Sequence, residues 1–344
     1  MQIFKKRTVS RAVHILPNMP RLVRHVPNQR TCIDSSLQSC SACLRCINKR
    51  CMFFKTTEVE PDNIENYPFD KNNQVCPVQA ISEAEDGSIN IDHEKCIMCG
   101  LCAKRCPIGA IYYKNNKAIV NTDKTDHIIL SHSEQNIRKQ EEQLQKLSTL
   151  QKRGTLIEES DDLLTQIYEK LTNIDNKQYD LVVRNLLIGA GCSAGKRRAG
   201  DVYTRTDIIY ASKDGCIGAA EVEFGQETLD ASRAILEDIA VMNVKYSISK
   251  EQNYPLVVCL NLPNSRQGYW QVIKDIRQIE NIKIQTLSVG ALFLLNWNNI
   301  QLSISNFDFY IDFDNKILRT KLEEVLGRKI NISPKQLGIL EPYK

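Results

Sequence analysis

The stretch CIMCGLCAKRCPIGAI, residues 96 to 111, sets Cys96, Cys99, Cys102 and Cys106 in the spacing CxxCxxCxxxCP. Ten of the thirteen cysteines fall between positions 32 and 106, a density that calls for disulfides or metal. The spacing decides for metal, because thiolates at these intervals wrap a cubane iron–sulfur cluster. The fourth cysteine of such a run ligates the other cluster of a pair. A second copy is therefore expected, and it is present in split form. CSACLRC supplies Cys40, Cys43 and Cys46, and CPVQAI at 76 to 81 mirrors CPIGAI at 106 to 111.

This internal repeat resembles a bacterial-type two-cluster ferredoxin with residues 47 to 75 inserted between the third and fourth cysteines of its first half. The resemblance implies that Cys40, Cys43, Cys46 and Cys106 hold one [4Fe-4S] cluster, and that Cys96, Cys99, Cys102 and Cys76 hold the other. Cys32 and Cys51 border the same region, and the sequence leaves open whether either replaces a ligand. Zinc competes for CxxC pairs but has no need of the repeated Cys-Pro pairing. Cluster assembly implies a reducing compartment, hence a cytoplasmic protein.

A chain of 344 residues, 42% hydrophobic and 25% charged, has room for two modest domains. The most apolar run, VGALFLL at 289 to 295, is far shorter than a membrane helix requires, so no membrane association is expected. Residues 1 to 30 carry seven Lys or Arg and no acid, a basic arm suited to a polyanion, a solvated tail or a targeting peptide. Domain boundaries read as the arm (1–30), the dicluster domain (31–125), a helical linker (126–178) and a C-terminal domain (179–344). Within the linker, 133 to 152 is polar with sparse leucines, a connecting helix or a dimerising coiled coil. Leu163, Leu164, Ile167 and Leu171 then mark a broader helical stripe.

In the C-terminal half, IGAGCSAGKRR at 188 to 198 invites a phosphate-cradling reading. Its register fails, since Ala190 stands at the first glycine position and Arg197 at the magnesium-binding hydroxyl. A basic turn of Lys196, Arg197 and Arg198 is the preferred reading. The pattern then runs helix, DVYTR, DIIYA and CIGAAEVEF as strands, a helix from about 227 to 246, the strand PLVVCLNL, a helix across 266 to 280, and the strand IKIQTL. FDFYIDFD, 307 to 314, reads as a strand extending the sheet, with Asp308, Asp312 and Asp314 outward. Cys192, Cys216 and Cys259 read as small core residues.

That α-β-β-β-α-β order, with Asp207 in RTDIIY and Glu221 in AAEVEFG, resembles the restriction-endonuclease-like PD-(D/E)xK fold. Glu223 stands where that family has lysine, making this an ExE variant. The resemblance implies a mixed sheet flanked by helices, so the fold class is α+β and α/β in two domains. It further implies Mg²⁺ held by Asp207, Glu221 and Glu223, with Glu223 in the metal-binding or water-activating role of the lysine. Such an ion polarises a phosphoryl oxygen and supplies hydroxide near neutral pH. Asp201 rivals Asp207 as the strand acid. The function expected is a Mg²⁺-dependent DNA endonuclease directed at foreign DNA, with DNA, a defence-system protein and a second copy as partners. The alternative is an electron-transfer or redox-sensing ferredoxin protein whose C-terminal domain binds a partner or nucleic acid without cleaving it, with a redox protein as a further candidate partner.

Overall fold

The computed structural model describes residues 51–54, 72–85, 89–106, 111–114, 117–120, 160–197, 200, 205–212, 214–225, 228–307, 309, 318–332 and 338–342. The basic arm, Cys32, Cys40, Cys43, Cys46, Asp201, the 133–152 segment and Asp308, Asp312 and Asp314 lie outside them. The chain divides into two compact units, one of residues 1–53 and 74–156, the other of residues 54–73 and 157–344.

The first unit repeats one device. Strand β1 (Ile81–Glu83) pairs antiparallel with β2 (Ile89–Ile91), Ile81 opposite Ile91. After the five-residue helix α1 (Leu101–Arg105), β3 (Ile111–Lys114) pairs in the same sense with β4 (Lys117–Val120), Ile111 opposite Val120. Each hairpin begins five residues beyond a Cys-Pro pair, Cys76-Pro77 or Cys106-Pro107, so the repeat read in the cysteines recurs in the backbone. Among its described residues Val75, Val78, Ala80, Ile89, Ile97, Met98, Leu101, Ala103, Ile111 and Ala118 are buried.

The second unit opens with helix α2 (Ser160–Leu171), whose Leu163, Leu164, Ile167 and Leu171 form a buried stripe. A turn capped by Asp175, which accepts from Lys177 N at 2.9 Å, leads to α3 (Tyr179–Gly189). Five strands follow in the spatial order of the chain: β5 (Ser193–Lys196), β6 (Ile208–Ala211), β7 (Ile217–Glu223), β8 (Leu256–Cys259) and β9 (Gln285–Ser288). The first two junctions are antiparallel and the last two parallel, so β7 is the strand on which the sheet changes sense. The parallel junctions are crossed by helices α4 (Thr228–Tyr246) and α5 (Gly268–Glu280), as parallel pairing demands. Strands β6, β8 and β9 are buried along their whole length, which explains the apolar runs of β6 and β8.

Helix α6 (Val289–Trp297) begins on the residue after β9, with Ser288 Oγ accepting from Ala291 N at 3.2 Å as its N-cap. It is buried on every side, and Asn296 Nδ2 donates to Leu186 O at 2.9 Å from α6 to α3. Gly218 on β7 is required by close approach: a Cβ there would run into Tyr254 O, the same carbonyl that accepts from Tyr210 Oη at 2.7 Å. Helices α7 (Ile304–Phe307) and α8 (Leu318–Leu326) follow.

Two local readings are corrected. The partner of β6 is Ser193–Lys196, whose last residue opens the expected basic turn of Lys196, Arg197 and Arg198, while the expected strand DVYTR lies outside the described residues except for Arg205. The register sets Lys196 opposite Ile208, and buried Ala194 and Gly195 pack against α3. Of the expected FDFYIDFD strand, 307 to 314, only two residues are described: Phe307 ends a helix, and Phe309 is buried outside any strand.

Candidate functional site

Four of the expected ligands come together in the first unit. Helix α1 carries buried Cys102 and ends at buried Cys106. The approach to α1 passes through left-handed backbone at Met98 (φ 57°) and Gly100 (φ 82°), which coils the chain around Cys99. Burial raises the Cys99 thiol, and the nearby Cys76 and Cys96 sulfurs raise it further. Cys102 is raised well above its ordinary value by burial and then by Cys99, Cys96, Cys51 and Cys76. Backbone amides already address the sulfurs, Ala80 N donating to Cys76 Sγ at 3.1 Å and Met98 N to Cys96 Sγ at 3.4 Å. Thiols buried in mutual repulsion stay protonated until a cation replaces their protons, and amide donors to sulfur stabilise the bound thiolates. Cys76, Cys96, Cys99 and Cys102 thus fit a [4Fe-4S] cluster. No partner of Cys106 in the other expected set lies among the described residues.

A second cluster of titratable groups lies in the second unit, where β6 and β7 meet α4. Asp207, one residue before β6, accepts from Val222 N at 3.1 Å, and that bond fixes its carboxyl beside Glu221. Burial raises Asp207, with Asp180 adding to the effect, while the Val222 amide and Arg197 oppose it. Burial also raises Glu221, and the neighbouring Asp207 and Asp238 raise it further. Asp238 projects from the buried stripe of α4 that includes Ala231, Ile235, Ile239 and Met242. Thr206 Oγ1 donates to Asp238 Oδ1 at 3.1 Å, and Asp238 too is raised by burial. Burial thus favours the protonated form of each carboxyl, and at Glu221 the acidic neighbours add to it.

The expected third member is elsewhere. Glu223 shares the face of β7 with Glu221, but its Oε1 accepts from Gly225 N at 2.5 Å in the turn that ends the strand. The carboxyl on the other side of Glu221 is Asp238, which the sequence reading passed over. Its signal was an acid at a core position of a helical period, where an unpartnered charge is costly. Among the described residues no three His, Cys, Asp or Glu converge on a single metal ion, neither these carboxyls nor the sulfurs of the first unit. The four cysteines suit a cluster, each of whose irons takes one cysteine sulfur, by their donor chemistry and not by meeting at one point. Arg205 pairs with Glu237 at 2.6 Å and Arg233 with Asp230 at 3.4 Å, both at the surface. Cys192, Cys216 and Cys259 are buried free thiols of the second unit's core.

Residues 89–112 match the model of the 4Fe-4S binding domain. The chain carries a ferredoxin-type iron–sulfur region. Over 86 residues it is 38% identical to an uncharacterized ferredoxin of Methanocaldococcus jannaschii, a match covering 24% of this chain and 56% of that protein. It is 48% identical over 42 residues to a 7Fe ferredoxin of Hydrogenibacillus schlegelii, covering 12% of this chain and 53% of the relative. It is 46% identical over 46 residues to hydrogenase-4 component A of Escherichia coli, covering 13% and 22%. The chain spans about half the length or less of these relatives. No solved structure matches it significantly. The described residues from 160 onward form a mixed α/β arrangement around a five-stranded sheet.

Proposed function

We propose that this protein carries electrons through two [4Fe-4S] clusters, one held by Cys76, Cys96, Cys99 and Cys102 and the other by Cys40, Cys43, Cys46 and Cys106, in exchange with a redox partner protein. The observation that carries this reading is the proximity of half-buried Cys76 and Cys96 to buried Cys99 and Cys102, with amide donors on two of the sulfurs. Relatives named as subunits of a hydrogenase, a selenate reductase and a tetrathionate reductase favour a protein partner. When bound, the clusters supply one-electron chemistry, and the chain's own residues hold them, shield them from water and tune them through hydrogen bonds to sulfur. Anaerobic reconstitution followed by iron and sulfide analysis and electron paramagnetic resonance of the reduced protein tests this. Two low-potential [4Fe-4S] signals are expected. Protein that retains no iron, or iron that cannot be reduced and reoxidised, refutes it.

A second reading is favoured by one observation, the approach of Asp207 to Glu221 on a sheet of the expected strand order. On this reading the second unit has the restriction-endonuclease-like fold, Asp207 and Glu221 would hold Mg²⁺, and that ion would activate water for cleavage of foreign DNA. Glu223 would join only if its carboxylate left the Gly225 amide. Incubation of the full chain with plasmid DNA and Mg²⁺ decides the matter. Cleavage abolished by both Asp207→Asn and Glu221→Gln supports a nuclease, and absence of cleavage by the unaltered protein removes it.

A further inference from the structure

A cavity of about 530 Å³ opens in the second unit at the amino ends of β8 and β9, a volume in the range of small-molecule sites. It lies away from the carboxyls Asp207 and Glu221. Glu221 stands opposite Val257, whereas the cavity wall includes Asn253, which bridges Ile217 at the other end of β7. The walls are pinned by backbone. Tyr254 N donates to Ile217 O at 2.9 Å, Gln285 N to Pro255 O at 2.8 Å, and Asn281 N to Arg277 O at 3.0 Å as α5 ends. Lys250 Nζ reaches from one wall to the other, to Glu280 Oε2 at 3.4 Å.

The chemistry of the wall narrows the ligand. Its charges balance, Lys250 and Lys283 against Glu251 and Glu280, so it offers no net attraction to a polyanion. Tyr254, Ile282 and Ile304 lend apolar area. Asn253 is 6% exposed, and neither its Nδ2 nor its Oδ1 has a partner among the described residues. A buried amide in that state is costly, and turning it towards the cavity breaks no hydrogen bond. A ligand edge with a donor beside an acceptor satisfies both atoms at once. Adenine has that edge, its N6 amino group next to N7, and an asparagine amide meets it with two hydrogen bonds. The aromatic ring of Tyr254 supplies a surface on which a base stacks.

We propose that this cavity binds an adenine nucleoside, with Asn253 pairing to the base edge and Tyr254 stacking on the base. Fixed backbone on both sides means that the site is largely formed before the ligand arrives. The balanced charge of the wall gives no preference for a phosphate on the ribose. The proposal stands independently of both the electron-transfer and the nuclease readings.

Equilibrium dialysis of the full-length protein against adenosine, adenosine monophosphate and purine riboside, which lacks the N6 amino donor, tests it. Adenosine and its monophosphate are expected to bind alike, and purine riboside about tenfold more weakly. Asn253→Leu, similar in size, should weaken adenosine binding by a like factor, and Tyr254→Phe, which keeps the ring, should retain it. The purine riboside comparison uses unaltered protein, so it stands even if the Asn253 variant fails to fold. Absence of adenosine binding at millimolar concentration overturns the proposal, as does equal affinity for purine riboside or unchanged binding in folded Asn253→Leu. A monophosphate bound far more tightly than adenosine overturns it too, by making the cavity a phosphate site.

Discussion

Glu221→Gln should stabilise the metal-free protein at neutral pH, and more so as pH rises. Glutamine keeps the shape of the side chain and removes its titration. In the fold, burial and then the neighbouring Asp207 and Asp238 raise Glu221 from its ordinary value of 4.5. A carboxyl whose folded value is raised contributes stability that is fully present below the unfolded value and is lost as pH climbs. With the group still protonated in the fold at pH 7, the linkage amounts to about 3 kcal/mol. Water reaches a side chain that is only partly buried, which reduces this to about 1 to 2 kcal/mol. For a unit of this size that is a rise in Tm of about 2 to 8 °C. The assay is thermal melting by far-ultraviolet circular dichroism at pH 5, 6, 7 and 8 with divalent ions removed. The difference between variant and parent should shrink towards pH 5 and widen towards pH 8. A difference that is constant with pH, or a variant less stable at pH 8, refutes the account of Glu221 as a carboxyl raised by burial and its acidic neighbours.

Two further outcomes follow from single contacts. Gly218→Ala forces a methyl onto Tyr254 O and should cost about 3 kcal/mol in urea unfolding, because the obstacle is backbone and both strands are fixed by their ladders. Asp214→Asn should flatten the acid limb of the stability curve. Burial works to raise Asp214, but the hydroxyls of Ser212, Ser305 and Ser303 outweigh it and hold the carboxyl well below its usual value of 3.8. That contribution is present above the unfolded value and is lost as pH falls towards the folded one. Acid unfolding followed by circular dichroism below pH 4 should therefore show a shallower loss in the variant.

The cysteine pocket was legible because ligand spacing is a local property: Cys96, Cys99 and Cys102 sit within one loop and one helical turn, so the sequence interval is the geometry. Strand β8 was legible from Leu256, Val257 and Val258, since a strand buried on both faces is largely apolar, whereas β9 buries Gln285, Thr286 and Ser288 around Leu287. Strand β5 was not, because Ser193, Ala194 and Gly195 have little side chain with which to announce a strand, and pairing with β6 supplies what propensity does not. Asp238 was overlooked for the opposite reason. Its acidity suggested the solvent face of α4, whereas Thr206 and Glu221, from two other elements, make the core position tolerable. Glu223 shows the limit of period-2 reasoning at a strand end, where a turn amide can claim a side chain that the pleat alone would send to its neighbour.

The direct join of β9 to α6 leaves the chain no slack. With Ser288 both the last strand residue and the helix cap, one inserted residue would turn α6 by about 100°. Asn296 would then swing away from Leu186 O, and an apolar helix fitted on all sides would present its faces to the wrong neighbours. Sheet and central helix are for this reason one mechanical piece, and a scan of single-residue insertions should find position 288/289 among the least forgiving in the second unit.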